Sequence, residues 1–186
     1  MIMTIAPKLI IGLGNPDLPA DRHGKEYQNT YHNVGFLFID GLFKIAAAGE
    51  LRQGQENLKF KILKSQVYMN KSGSFVAKEL KKSGMKPDEL LLVHDDSDLE
   101  IGKYKLSFGR GAAGHHGVES VIASLKTKNF WRLRIGIRPP EKKSIPVGMT
   151  GKRLKAEKFV LKKISKTHSE ILGEAFSKII SELRLN

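Results

Sequence analysis

Residues 8–16 read Lys8-Leu9-Ile10-Ile11-Gly12-Leu13-Gly14-Asn15-Pro16, and this stretch decides what kind of fold the chain can have. An apolar run closed by Gly and Asn-Pro reads as a buried strand over 8–13 that ends in a turn. Gly12-x-Gly14 is half of a dinucleotide-binding fingerprint. The third glycine would fall at Asp17, and Pro16 breaks the turn, so a nicotinamide site is a poor reading.

Working outward, strands and helices interleave. Residues 34–47 carry Val34, Leu37, Phe38, Leu42 and Ile45 on one side of a helix. Leu58, Phe60 and Ile62 alternate with lysines, as in a half-exposed strand. A helix is predicted over 72–83, stopping at Gly84, and a central strand over 90–94, Leu-Leu-Leu-Val-His. Tyr104, Leu106 and Phe108 alternate again, and 117–126 carries Val118, Val121, Ile122 and Leu125 at helical spacing. Trp131, Leu133, Ile135 and Ile137 alternate with Arg132, Arg134, Gly136 and Arg138, which reads as a strand with a wet, basic face. The last helix is expected to start at a capping box, Thr167-x-x-Glu170, with Leu172, Phe176, Ile179 and Leu183 as its apolar face. Such interleaving implies an α/β fold: one domain over 1–186, in three layers, with a mixed, mostly parallel sheet flanked by helices. Neither repeats nor a linker are evident. Residues 139–156, rich in Pro, Lys and Gly, read as mobile.

Bulk properties narrow the function. A chain of 186 residues is long enough to bury one good core. Its apolar stretches are too short to span a bilayer, and no export signal opens it, so neither a membrane partner nor secretion is expected. The absence of Cys excludes disulfides, Cys-based zinc sites and thiol nucleophiles, and suits a reducing cytoplasm. Lys plus Arg number 32 against 19 Asp plus Glu, a net of +13. The basic residues group: Lys103, Lys105 and Arg110 before a Gly-rich turn, Arg132, Arg134 and Arg138 along a strand, and Lys142 to Lys158 in a loop-rich stretch. A polyanionic partner, nucleic acid above all, is the reading this supports.

In α/β sheets, sites gather at the carboxyl ends of strands. Asn15 follows the first strand, Asn70 precedes the 72–83 helix, Asp95 ends the central strand, and His115 and His116 open the next helix. His32 and Asn33 precede the first helix. A histidine, a carboxylate and two asparagines supply a base, an orienter for it, and amides to hold a carbonyl. Asn70 could also cap the helix near Ser72. Asp95, Asp96 and Asp98 lack a spaced His or Glu partner in their segment, so Asp96 and Asp98 read as capping or solvated residues and no metal is expected. Trp131 and the Phe residues read as core.

These words also carry a resemblance. Gly-Leu-Gly-Asn-Pro at 12–16, Glu26-Tyr27, Tyr31-His32-Asn33-Val34-Gly35-Phe36, Tyr68-Met69-Asn70-Lys71-Ser72-Gly73, His94-Asp95-Asp96-Ser97-Asp98-Leu99, the Gly-rich 109–117 and Trp131-Arg132-Leu133-Arg134-Ile135-Gly136 occur together in this order. The chain resembles the bacterial-type peptidyl-tRNA hydrolases from about residue 8 to 180. The resemblance implies cofactor-free hydrolysis of the ester joining a peptide to tRNA, by a cytoplasmic monomer. It implies that His32 is the base on water, that Asp95 orients it, and that Asn15, Tyr27, Asn70 and His116 contact the substrate. It places Arg134 on the tRNA-binding surface, to which the charge pattern adds Lys105, Arg110 and Arg132. Three departures stand out: His116 where the family has Asn, Tyr31 where Arg precedes the histidine, and a longer loop over 17–25, expected to touch substrate or lid the site. His116 and Tyr31 keep one alternative open, a non-catalytic RNA-binding relative of the intron-splicing type.

Overall fold

The apolar run of the opening stretch is a strand enclosed from both sides, and the reason lies in its alternation. In a computed structural model that describes residues 3–5, 7–17, 27–47, 60–140 and 159–185, strand β1 is Met3–Ile5 and strand β2 is Leu9–Gly12. Successive side chains of a strand point to opposite faces. Leu9 and Ile11 therefore enter one core and Ile10 the other.

Helix α1 (Val34–Ala47), strand β3 (Lys61–Lys64), helix α2 (Ser72–Ser83) and strand β4 (Leu90–Glu100) follow. Then come strand β5 (Tyr104–Phe108), helix α3 (His116–Leu125), strand β6 (Trp131–Arg138), helix α4 (Lys166–Glu182) and strand β7 (Leu183–Leu185). The main sheet has the order β3-β2-β4-β6-β5, with only β5 antiparallel, and β1 pairs with β7 in a separate parallel ribbon. Val34, Phe38 and Ile39 of α1 and Leu172 and Ile179 of α4 pack on one face, against Ile10, Leu91, Val93, Leu133 and Ile135. Val76 and Leu80 of α2 and Val118 and Val121 of α3 cover the other, against Leu9, Ile11, Leu90 and Leu92. This is the expected three-layer, mostly parallel arrangement. No helix among the described residues is long and apolar enough to cross a membrane.

Three local readings are corrected. Helix α4 is capped by Ser165, not Thr167: Ser165 is extended, and its hydroxyl accepts the His168 N–H at 3.2 Å. Thr167 already lies inside the first turn, and Leu183 is the buried first residue of β7. The basic face of strand β6 is not uniformly wet: Arg132 is buried at 2% exposure, whereas Arg134 and Arg138 are half-buried. The predicted central strand runs on past His94 to Glu100, with its pairing to β6 shifted between Asp96 and Glu100. Most of the 17–25 loop, the 139–156 stretch beyond Pro140, and Leu58 lie outside the described residues.

Topology also places the site. From β2 the chain crosses through α1 to β3 on one side, then through α2 to β4 on the other. The carboxyl ends of β2 and β4 flank the point where the crossovers diverge, where open α/β sheets leave a crevice.

Candidate active site

His32 sits on a single 3-10 turn, Tyr31–Asn33, immediately before α1. Its backbone hangs on the segment leading to α4. His32 N–H donates to the Val160 carbonyl at 2.8 Å, Ile164 N–H donates to Asn29, and Thr30 bridges Lys163. The Tyr31 hydroxyl meets His168 Nδ1 at 2.6 Å and anchors the same turn. Just beyond, α1 is pressed onto the strand ends at Gly35, where a Cβ would lie 2.5 Å from the carbonyl oxygens of Leu13 and Val93. Only glycine fits that approach.

Asp95, 2% exposed, stands in β4 beside this turn. Its Oδ1 accepts from His32 Nδ1 at 2.8 Å and from His115 Nε2 at 3.0 Å. His115 is the N-cap of α3, and its Nδ1 accepts the Val118 N–H at 3.3 Å. That bond puts the His115 proton on Nε2, where it faces the carboxylate. The His32 Nδ1–H likewise donates to Asp95, which leaves the His32 Nε2 lone pair free to take a proton. Burial alone would raise the Asp95 pKa, but the two histidines hold its carboxyl far below the usual carboxylate range. Burial alone would depress the His32 pKa. The charge and hydrogen bond of Asp95 outweigh it and leave the pKa raised.

His94, next in the strand, donates from Nδ1 to the Asp95 carbonyl at 2.7 Å. It is buried, and burial holds its pKa well below the ordinary value, so it is neutral. The rings of His32 and His94 lie 5.1 and 4.7 Å from that of His115. The sequence reading missed the parts played by His94 and His115. Their signals were present: one directly precedes Asp95, and the other opens α3 after a run of glycines and alanines.

The asparagines assemble around β2. Asn15 exchanges two backbone-to-carboxamide bonds with Asn33, at 2.8 and 2.9 Å. Its own Oδ1 accepts the Met69 N–H at 2.8 Å, which fixes the turn Met69–Lys71 that presents the exposed Asn70. The capping role for Asn70 is not realised: Lys71 is the N-cap of α2, and no side chain caps there. Tyr27 meets Tyr68 edge to face at 6.1 Å. His116 is largely exposed and bonded through Nδ1 to Glu119 at 3.0 Å.

His32, His94, Asp95, His115, His116, Arg132 and Arg134 line one cleft of about 460 Å³. A neighbouring cleft of about 640 Å³ holds Lys105, Arg110 and Trp131 and shares Arg134 and Ala113 with it. Lys105 and Arg134 are register partners across β5 and β6. Asp96 is not a solvated residue. It is 8% exposed, pairs with Arg134 Nε at 2.5 Å, and also accepts the Asp98 N–H.

His32, Asp95 and His115 are the group among the described residues whose ligand atoms lie close enough, within 4.8 Å of one another, to hold a metal ion. A metal on His115 Nε2 would require the proton on Nδ1, where it would face the Val118 N–H donor. The helix cap therefore opposes metal binding and favours the hydrogen-bonded triad.

A family model described as peptidyl-tRNA hydrolase matches residues 9–185. The peptidyl-tRNA hydrolase of Cupriavidus metallidurans is 35% identical, over 95% of this chain and 89% of that protein. That of Aquifex aeolicus is also 35% identical, over 93% and 86%. The crystal structure of the Acinetobacter baumannii peptidyl-tRNA hydrolase superposes with a TM-score of 0.70 at 28% identity, covering 94% of this chain and 85% of that one.

Proposed function

This chain belongs to the peptidyl-tRNA hydrolase family, and we propose how its residues carry out the hydrolysis of peptidyl-tRNA. The observation that carries the reading is the single Asp95 oxygen that receives both histidine N–H groups. His32 Nε2 takes a proton from water as the water oxygen attacks the ester carbonyl. Asp95 keeps the ring in the required tautomer and stabilises the imidazolium as it forms. Collapse of the tetrahedral intermediate breaks the bond to the terminal ribose, and the imidazolium returns its proton to the leaving oxygen. The products are a peptide carboxylic acid, which ionises by releasing its proton to solvent, and tRNA with a free hydroxyl.

Asn15 has its Oδ1 committed to Met69, which leaves its Nδ2 to donate to the peptide end of the substrate. Asn70, on the turn that Asn15 holds, supplies an amide donor to the carbonyl oxygen as charge develops there. Tyr27, held edge to face against Tyr68, flanks the substrate, and His116 lines the cleft where the family has Asn. Lys105, Arg110, Arg132 and Arg134 bind acceptor-strand phosphates without reading sequence. The whole chain, 1–186, is read as this one domain, acting as a cytoplasmic monomer without cofactor. The curated relatives are hydrolases by name, and no feature of the site favours the non-catalytic alternative.

The test is release of peptide from N-acetyl-aminoacyl-tRNA, with EDTA present, by the wild type and by His32→Ala. Turnover that survives EDTA and falls on the order of 10²–10⁴-fold in the variant is expected. Full activity of His32→Ala would overturn His32 as the base.

A further inference from the structure

Arg132 heads the fully enclosed side chains by volume, at 2% exposure. Its Nη2 donates to the Gly111 carbonyl at 3.0 Å, while its buried Nε has no acceptor among the described residues. A buried guanidinium left partly bonded is costly unless an anion joins it. The carboxylate that acts on Arg132 is Asp96, and Arg134 Nε already holds Asp96 at 2.5 Å. Two guanidiniums on this face of β4 and β6 thus share one carboxylate. His94 lies on the same face. It is neutral, and its buried Nε2 is also unpartnered, so it offsets no charge.

Arg132 lines the catalytic cleft, and His115 and His116, at the start of the ten-residue helix α3, line it too. The amino end of a helix carries partial positive charge and outward N–H groups. The cleft is therefore lined by a guanidinium whose Nε lacks an acceptor and by a helix N-terminus at which His115 takes the Val118 N–H, with His32 lining it too.

We propose that Arg132 and the first turn of α3 form an anion site that takes the phosphodiester linking the last two nucleotides of the acceptor strand. The inference rests on the hydrolase reading above. The substrate carries that phosphate on the same nucleotide as the scissile ester, so the two groups reach one cleft together. A product carboxylate, by contrast, forms beside the ionised Asp95 and is repelled by it. The planar fork of the guanidinium suits a phosphate oxygen pair. The site converts one phosphate contact into placement of the ester carbonyl over His32.

The experiment compares kcat/KM for three N-acetyl-phenylalanyl esters. One is on adenosine, one on cytidylyl-adenosine, and one on the same dinucleotide with a neutral methylphosphonate linkage. With wild type, the charged dinucleotide ester is expected to exceed the adenosine ester on the order of 10- to 100-fold, the range of a charge-assisted hydrogen bond, and the methylphosphonate to lose most of that advantage. Arg132→Lys is expected to reduce the advantage, and Arg132→Met to bring the ratio towards one. The methylphosphonate arm needs no variant, so it decides even where Arg132→Met does not fold. An advantage that survives the neutral linkage, or survives both variants, would overturn the proposal. Inhibition of adenosine-ester cleavage by inorganic phosphate with no dinucleotide advantage would assign the site to free phosphate and overturn it too. Equal cleavage of the esters alongside normal activity on full-length N-acetyl-aminoacyl-tRNA would sink this inference alone. No cleavage of the full-length substrate would sink the hydrolase reading as well.

Discussion

Asp95 gives one oxygen, Oδ1, to two imidazoles, His32 Nδ1 at 2.8 Å and His115 Nε2 at 3.0 Å. The carboxylate is nearly out of reach of solvent, so those two donors replace the water it gave up on folding. This shared oxygen ties His32 to the cap of α3, and the pH behaviour expected of the protein follows from it.

Burial lowers the His32 pKa and Asp95 raises it further than burial lowers it. The reactive neutral form therefore appears only as pH rises through a value above the ordinary 6.5. The acid limb of kcat/KM should lie above that value. Asp95→Asn removes the raising causes and leaves the burial, so the limb should move to lower pH, while the plateau falls on the order of 10²-fold or more. A limb that stays in place in the variant would contradict the pairing. The stability linkage has the opposite sense. A pKa raised in the folded state stabilises the fold fully below the unfolded value, and that contribution is lost as pH rises through the folded value.

His115 serves both as helix cap and as donor to Asp95. His115→Ala should lower stability by about 0.5–2 kcal/mol, as loss of an N-cap does, and should also reduce kcat. His115→Asn keeps a capping side chain and should recover most of the stability in a denaturant titration. If both variants unfold alike, the cap contributes little.

Asn15→Ala leaves the Met69 N–H without its buried acceptor. About 1–3 kcal/mol of stability should be lost. The turn bearing Asn70 should loosen, so kcat/KM should fall more than thermal stability alone explains. Unchanged kcat/KM in a folded Asn15→Ala protein would remove the asparagine pair from the mechanism.

Lys105 is an exposed cation in the second cleft, across the sheet register from Arg134. Lys105→Gln should weaken tRNA binding and lower the slope of log affinity against log salt by about one. The same change in Arg134 is a poorer test, because it leaves Asp96 buried without its partner. Salt titrations of the wild type and Lys105→Gln that superpose would take Lys105 off the tRNA surface.

Much of this protein was legible along the chain because the signals were local. The unbroken apolar runs at 9–12 and 90–94 marked two central strands, and Gly84, in the left-handed region at φ 64°, ended α2 where the spacing said it would. Asn15, His32 and Asn70 stood at element boundaries; the structure joins His32 to Asp95 within β4 and makes Asn15 the anchor of the turn that carries Asn70. What the sequence could not decide was which neighbours each side chain would meet. Arg132 and Arg134 alternate as a wet strand face would, yet one is enclosed and bonded to the Gly111 carbonyl and the other is half-buried and bound to Asp96. His115 looked like a helix opener and became the second partner of Asp95 because residues 20 apart in sequence meet only after β4, β5 and α3 have packed. Periodicity and turn chemistry act over a few residues and so are written in the chain. Burial, ion pairing and tautomer depend on groups brought together across the sheet, and only the tertiary structure settled them.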